Sequence, residues 1–555
     1  MKRRLAGLWP RWADYREVPR SWRRDLLAGV TVGVVALPLA LAFGVSSGAG
    51  AASGLVTAII AGVIAAVFGG SNVQVSGPTG AMVVVLGPVI ATHGLTALPL
   101  VCVMAGVIVL LAGVLRLGNA VTFIPWPVIE GFTLGIAVII FLQQIPAAFG
   151  VSAGPSSNAA VAAIEAVRTV DLNVMWWSLT VTGVVAAIMV FAPMLHRALP
   201  GSIIAIVLVT VLVAVFRIPV PMIGELPSSL PAPILPVVDP ATMLALVGPA
   251  FTIAALAAIE SLLSARVATS ISNTGPYDAD RELVGQGLAS IGSGLFGGMP
   301  ATGAIARTAV NIRSGARTRV AAIVHSLVLL LVVYAASTVV STIPLAALSG
   351  VLMVTATRMV SLTTVRTILR STRSDAVVFV ITAVITVSVD LIYAVGIGVL
   401  AAAFFTLRRL ANSAGVRREE LPAPAEPGDE RIALFRIDGA LFFGAADRIV
   451  ARIGTIQNVS VVILRLSGLQ VLDATGAQVL TELVHTLERR GITVLIKGIP
   501  PEHLQLATRV GVIASLRHQN HLYSDLDPAI AHARSHVRRD ATSGADSPTP
   551  KILRP

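Results

Sequence analysis

The stretch Ser76-Gly77-Pro78-Thr79-Gly80 interrupts apolar sequence, and another apolar run, Ala81 to Ile90, follows at once. A second stretch of the same kind lies far downstream: Gly298-Met299-Pro300-Ala301-Thr302-Gly303, followed by Ala304 to Ile312. Each puts a Pro, a Thr and a Gly just ahead of a helical run. Pro suits the first helical position, Thr can cap the first free N–H groups, and Gly lets another group approach the backbone. Each stretch is therefore expected to start a helix partway through a membrane. Lipid offers bare backbone no hydrogen bonds, so such a break must face protein or a wet cavity. Helix starts carry free donors and partial positive charge, which suits an anion. Two breaks in matching positions of two halves point to a transporter's binding site. The alternative is a pair of Gly/Pro turns between ordinary spans, since both residues are common in membrane helices.

Composition agrees with a membrane setting. The 555 residues are 55% hydrophobic and 13% charged, with a mean hydropathy of +0.83. That balance fits a polytopic membrane protein and no soluble chain of this size. The net charge of +12 would suggest nucleic acid in a soluble protein. Here the basic residues crowd the N-terminus and a few loops, so membrane topology explains them, and no nucleic-acid partner is expected. Cys102 is the one cysteine and sits in an apolar run. No internal disulfide can form, no paired metal-ligand spacing is apparent, and no metal is expected. No nucleophile–base set or phosphate loop appears, so an enzyme is not expected.

Residues 1–24 form a cytoplasmic N-terminal segment, too long and polar for a cleaved signal. Spans are expected near 25–44, 51–69, 95–115, 121–149, 173–193, 200–216, 241–267, 320–338, 342–358, 375–391 and 392–410. The broken stretches 76–92 and 300–312 add half-spans, and a weaker helix near 282–297 makes about 14 segments. With both termini cytoplasmic, the inner loops hold Arg116, Arg197, Arg281, Arg313, Arg317, Arg319, Arg366, Arg370 and Arg373, whereas the outer loops hold little beyond Arg168 and Arg217. That asymmetry follows the positive-inside rule. Residues 25–216 and 241–410 each hold about seven segments, with the break third in each. Seven is odd, so the halves insert in opposite senses as an inverted repeat.

Beyond the transmembrane region 25–410, composition changes. Residues 411–430, with Pro422, Pro424 and Pro427, are expected to be a linker, 431–540 a soluble α/β domain, and 541–555 a disordered tail. Strand signals are Ile432 to Phe435, Val459 to Leu464 and Ile492 to Ile496; helical patterns run over Ala474 to Arg489 and Pro501 to Val510.

Several side chains stand out against this background. Arg307 falls one turn into the second half-helix, where a guanidinium adds full charge to a helix start. The alternative is snorkelling to the cytoplasmic face. Glu260, in an apolar run, must be paired, protonated or ion-bound. Ser264 lies one turn further on the same face and can share a cation with it. The alternative for Glu260 is a permanent salt bridge to Arg307. Glu130 is expected to make a cap or loop contact, and His325 to be a hydrogen-bonded packing residue. Pro38 and Phe43 shape a cavity or pack the core. In the soluble domain, Asp473 or Thr475 caps the helix that follows, and a phosphorylated Thr475 would put charge at a helix start.

The run Phe123-Ile124-Pro125-Trp126-Pro127-Val128-Ile129-Glu130-Gly131-Phe132-Thr133, then Pro200-Gly201-Ser202, then Arg307-Thr308-Ala309-Val310-Asn311 resembles the sulfate permease (SulP) family of anion transporters. Asp473-Ala474-Thr475-Gly476 resembles the signature loop of the STAS domain that such proteins carry. The resemblance covers about 20–535. It implies a uracil-permease-like fold, with a moving core against a gate at about 121–216 and 342–410. It also implies a homodimer, elevator-type motion, and a possible cytoplasmic protein or nucleotide partner at the STAS domain. It implies an anion site carried onto Thr79, Gly303, Ala304 and Arg307 and a coupling-ion site carried onto Glu260 and Ser264; the break residues Gly80 and Thr302, and Phe43 of the first span, join the candidates for binding the substrate. The Gly303-Ala304 stretch is similar to cyanobacterial bicarbonate transporters, which use sodium. Those carry Asp in place of Glu260 and Thr in place of Ile305, and losing a hydroxyl ligand favours a proton. Leu39 and Phe43 stand where sulfate carriers more usually have Gln and Tyr.

The expectation is a bacterial inner-membrane transporter of sulfate, bicarbonate or a dicarboxylate, coupled to a proton rather than sodium, with no other cofactor. A nucleobase permease would share the fold and is argued against by Arg307. A regulatory sensor acting through the soluble domain would lose its output when 431–555 is deleted.

Overall fold

Both breaks are real, and they meet. In the computed structural model, Ser76–Gly77 (β1) and Thr302–Gly303 (β2) pair antiparallel, with Ser76 opposite Gly303 and Gly77 opposite Thr302. The main-chain N–H of Ala304 donates to the Val75 carbonyl at 2.9 Å. Backbone that lipid would leave unpaired thus satisfies itself across the two halves. The structure describes residues 6–119, 124–151, 158–195, 200–236, 238–388, 391–413, 415–442, 453 and 458–545.

Among the described residues, the membrane unit holds two sets of seven helical segments, besides the shorter helices Ala159–Val167 and Leu362–Arg370. The first set is α1 (Val18–Ser46), α2 (Ala51–Phe68), α3 (Gly80–His93), α4 (Leu98–Val114), α5 (Trp126–Gln143), α6 (Leu172–Leu195) and α7 (Gly201–Phe216). The second is α8 (Pro240–Ile271), α9 (Ala279–Leu295), α10 (Ile305–Arg313), α11 (Val320–Val340), α12 (Leu345–Met359), α13 (Arg373–Ser388) and α14 (Leu391–Ser413). Among the described residues, nine helical stretches are long and apolar enough to cross a membrane. The helices that begin at the breaks are not: α3 has 14 residues and α10 has 9, against the roughly 20 needed for a full span. The expected fold is therefore present. Residues 121–123, 389–390 and Arg197 lie outside the described residues.

One expectation about the breaks is corrected. Neither Pro occupies a first helical position and neither Thr caps its helix: α3 begins at Gly80 and α10 at Ile305, with no side-chain cap at either. Both hydroxyls are used elsewhere, as the site shows.

The helix α9 looks weak by hydropathy because its buried face is polar. Glu282, Gln286, Ser290 and Ser293 recur at helical spacing and are buried. Glu282 accepts from the N–H groups of Gly70 and Ser71 at 2.8 and 3.1 Å. Gln286 donates to Ser76 Oγ at 2.6 Å. Ser290 Oγ accepts from the Ala301 N–H at 3.3 Å, and Ser293 Oγ donates to the Met299 carbonyl at 2.6 Å. These side chains supply the hydrogen bonds that the two interrupted strands cannot find in a helix.

The C-terminal unit is an α/β domain. Its sheet runs β3 (Gly415–Glu419), β4 (Ile432–Leu441), β5 (Val461–Leu472), β6 (Thr493–Lys497), β7 (Leu522–Tyr523), with β3 antiparallel and the others parallel. Its helices are α15 (Ala474–Arg489), α16 (Pro501–Val510) and α17 (Leu526–Ala545). Parallel strands need both faces covered. Leu480, Leu483 and Val484 of α15 help cover one face, and Ala529, Ile530, Ala533 and Val537 of α17 cover the other. Two boundaries shift from expectation. Residues 415–419 of the expected linker form an edge strand, and Glu426 and Asp429 pair with Arg534 of α17 at 2.7 and 2.8 Å. Residues 541–545 of the expected tail continue α17, while 546–555 lie outside the described residues.

Candidate functional site

A cavity of about 570 Å³ opens where the two half-helices begin. Phe43 of α1, Thr79 and Gly80 at the start of α3, Glu260 of α8, and Ala304 and Arg307 at the start of α10 line one side. Thr133 of α5, Met189 of α6, Ser202 of α7, and Thr355 and Arg358 of α12 line the other. Since neither helix start is capped, first-turn N–H donors of both stay open to a bound anion.

The α10 face that reaches the crossing chain is polar. Arg307 Nη2 donates to the Pro78 carbonyl, and its Nη1 has no hydrogen-bond partner although the residue is 2% exposed. A Cβ on Gly77 would come within 2.6 Å of that Nη1, so glycine is what lets the guanidinium lie against β1. Thr308 Oγ1 accepts from the Val75 N–H at 3.0 Å, and Asn311 Nδ2 donates to the Val73 carbonyl at 2.8 Å. The Arg-Thr-x-x-Asn spacing thus pins α10 to residues 73–78 and leaves half of the guanidinium free. Arg307 does not snorkel.

Glu260 joins the two breaks. Its Oε2 accepts from Thr79 Oγ1 at 2.8 Å and from Thr302 Oγ1 at 2.9 Å. It forms no ion pair within 4 Å of Arg307 among the described residues, so the permanent salt bridge is absent. Thr302 and Gly303 lie behind the cavity wall, fully buried or nearly so. The Gly303 N–H donates to Ser261 Oγ at 3.0 Å, and a Cβ there would collide with the Gln74 side chain. Ser264 does not line the cavity; its hydroxyl lies 3.4 Å from Thr308 Oγ1.

Other expected residues fall as follows. Glu130 accepts from the Trp126 indole at 3.1 Å in the first turns of α5, a local contact. His325 is buried in α11, where its ring bonds the Ala322 main chain and its Nδ1 lies 3.4 Å from Ser326 Oγ, while Nε2 has no partner. Asp473 caps α15 by accepting from the Gly476 N–H at 2.7 Å, whereas Thr475 is exposed inside the first turn and caps nothing. Phe123 lies outside the described residues. Sequence reasoning missed Arg358, whose Nη2 donates to the Met189 carbonyl at the cavity rim. It also assigned no role to Ser202, although Pro200-Gly201-Ser202 was in view and starts a helix at the cavity.

Electrostatics favour an anion. Each helix start contributes about +0.5 charge. With two guanidinia, Arg307 and Arg358, and one carboxylate, the cavity carries roughly +2 when Glu260 is ionised and about +3 when it is protonated.

Comparisons with known proteins agree with this reading. The family model described as the sulfate permease family matches residues 22–382, and the STAS domain model matches 423–529. The putative sulfate transporter YvdB of Bacillus subtilis is 35% identical over 90% of this chain and 96% of its own. The bicarbonate transporter BicA of Synechocystis is 33% identical over 93% of this chain and 94% of its own. The structure of the murine Slc26a9 anion transporter in the inward-facing state superposes with a TM-score of 0.84, covering 96% of this chain and 95% of that one. At 18% identity, that last match speaks for the fold alone.

Proposed function

Because the chain belongs to the sulfate permease family, we propose that it is a secondary active transporter of small oxyanions or carboxylates, driven by proton symport. The observation that carries this is the convergence of two uncapped half-helix starts, Arg307 and Glu260 on one cavity. The anion sits against the first-turn N–H groups of α3 and α10, with the free Nη1 of Arg307 as its charged partner. Glu260 carries the co-transported proton. Protonation removes the one negative charge that lines the cavity and raises its net charge from roughly +2 to about +3, so anion and proton bind better together than apart. Reciprocal coupling of this kind is what symport requires.

The two faces of the cavity support an elevator-type movement. One is built by α1, α3, α8 and α10, which hold the site, and the other by α5, α6, α7 and α12, which present mostly neutral side chains. A unit carrying site and ion together can slide against such a wall without breaking the bonds that hold the breaks. With the termini cytoplasmic, the site opens alternately to the two sides of a bacterial inner membrane.

A second reading is sodium-coupled bicarbonate uptake. It is favoured by the match to a bicarbonate transporter and by three oxygen-bearing groups, Glu260, Thr79 and Thr302, that meet at one point, the donor type a hard cation prefers. Uptake of radiolabelled sulfate, bicarbonate and fumarate into proteoliposomes, under separate proton and sodium gradients, tests both. Accumulation driven by a proton gradient is expected. Accumulation driven by sodium alone selects the second reading, and no accumulation of any anion rejects both.

A further inference from the structure

Outside the transport site, three imidazoles of the C-terminal domain come together. His521 ends a short helical turn, Gln519–His521, directly before β7. His532 and His536 lie one turn apart on α17, so both project from one face of that helix. One ligating nitrogen from each of the three lies within 4.8 Å of the others. The Nε2 atoms of His532 and His536 are 3.2 Å apart and share a hydrogen bond, a proton between them that a metal ion would displace. Two nitrogens bound to one tetrahedral zinc at 2.0–2.1 Å are separated by about 3.3 Å. The α17 pair is thus already spaced as two ligands of one ion.

His521 supplies the independent sign of a ligand. It is 1% exposed, and its Nδ1 has no hydrogen-bond partner. The ring also donates toward the Val494 main chain, the kind of outer contact that fixes the tautomer of a metal-bound histidine. A buried imidazole nitrogen left unpaired beside two more imidazoles is costly unless something binds it.

We propose that His521, His532 and His536 bind one divalent transition-metal ion of the zinc class. Three neutral nitrogens suit Zn²⁺, Ni²⁺, Cu²⁺ or Co²⁺, whereas Mg²⁺ and Ca²⁺ want oxygen. The fourth position is open to water or to His518, whose ring centroid is 5.4 Å from that of His521. The ion would tie α17 to the β7 edge of the sheet, so metal occupancy and docking of the C-terminal helix are linked.

The test uses the full-length protein in detergent, purified on a tag without histidines, stripped with chelator and titrated with ZnCl₂. We expect one equivalent of zinc per chain and a higher Tm when it is bound. H532Q/H536Q, both only half-buried positions, should lose at least about tenfold in affinity while keeping its circular dichroism and elution volume. H485Q, on α15, should bind as the parent does. A parent protein that takes up no zinc at equimolar concentration overturns the proposal, as does an unchanged zinc content in H532Q/H536Q.

Discussion

The two half-helices begin alike and are built oppositely. In α3 the third, fourth and seventh residues are Met82, Val83 and Leu86; in α10 they are Arg307, Thr308 and Asn311. All six are buried, none more than 2% exposed. Position by position, the same helical face is turned inward, yet one presents hydrocarbon and the other hydrogen-bonding groups. The polar set reaches across and holds the carbonyls and N–H of Val73, Val75 and Pro78, the chain that leads into α3. The apolar helix therefore needs no hooks, because its partner's hooks hold its approach. The repeat is symmetric in backbone and asymmetric in charge. The difference gives the paired helix starts one fixed guanidinium instead of two that would repel each other across the crossing.

The largest expected effect comes from erasing that difference at its charged position. Arg307→Met gives α10 the residue α3 carries there. Truncating a desolvated charge that meets an oppositely charged ligand costs about 2–5 kcal/mol, which is at least about thirtyfold in anion affinity. Proteoliposome uptake should fall accordingly, while the folded fraction seen by size exclusion stays high because methionine fills the same space. Uptake close to parental would mean that the helix starts alone hold the anion and that the asymmetry is only structural.

A step smaller is the carboxylate that both halves share. Glu260→Gln keeps acceptor capacity for Thr79 and Thr302 but cannot exchange a proton. Anion exchange at equal pH should survive at a reduced rate, and the acceleration by an inward proton gradient should vanish. A variant that still accumulates anion on a pH gradient would place the proton elsewhere.

How much of this was open to sequence reasoning follows from the same residues. The breaks were visible because Pro and Gly inside apolar runs have few other uses. Arg307 and Glu260 were visible because charge at membrane depth is rare. The job of Thr79 and Thr302 was not. A Thr just ahead of a helix looks like a cap, and only the β1–β2 pairing, which sets Gly77 opposite Thr302 from 225 residues away along the chain, turns both hydroxyls toward α8. The polar stripe of α9 lowered its hydropathy and so hid its role in holding both breaks. His532 and His536 stood at i, i+4 all along. Their meaning depends on His521, which a separate turn at the sheet edge brings to them, and spacing along one helix cannot report that.

The smallest effect separates holding from binding. Asn311→Leu again copies the α3 residue, at similar volume, but leaves the Val73 carbonyl without its donor. An unpaired buried carbonyl costs about 1–3 kcal/mol, so the Tm of the full chain in detergent should fall by roughly a few degrees. Uptake measured well below that Tm should stay within about twofold of the parent, because Asn311 lies behind the cavity and touches no lining group that meets the anion. Loss of uptake with an unchanged Tm would reverse the assignment. Asn311 would then act on the anion itself, and the polar face of α10 would be a continuation of the site and not its scaffold.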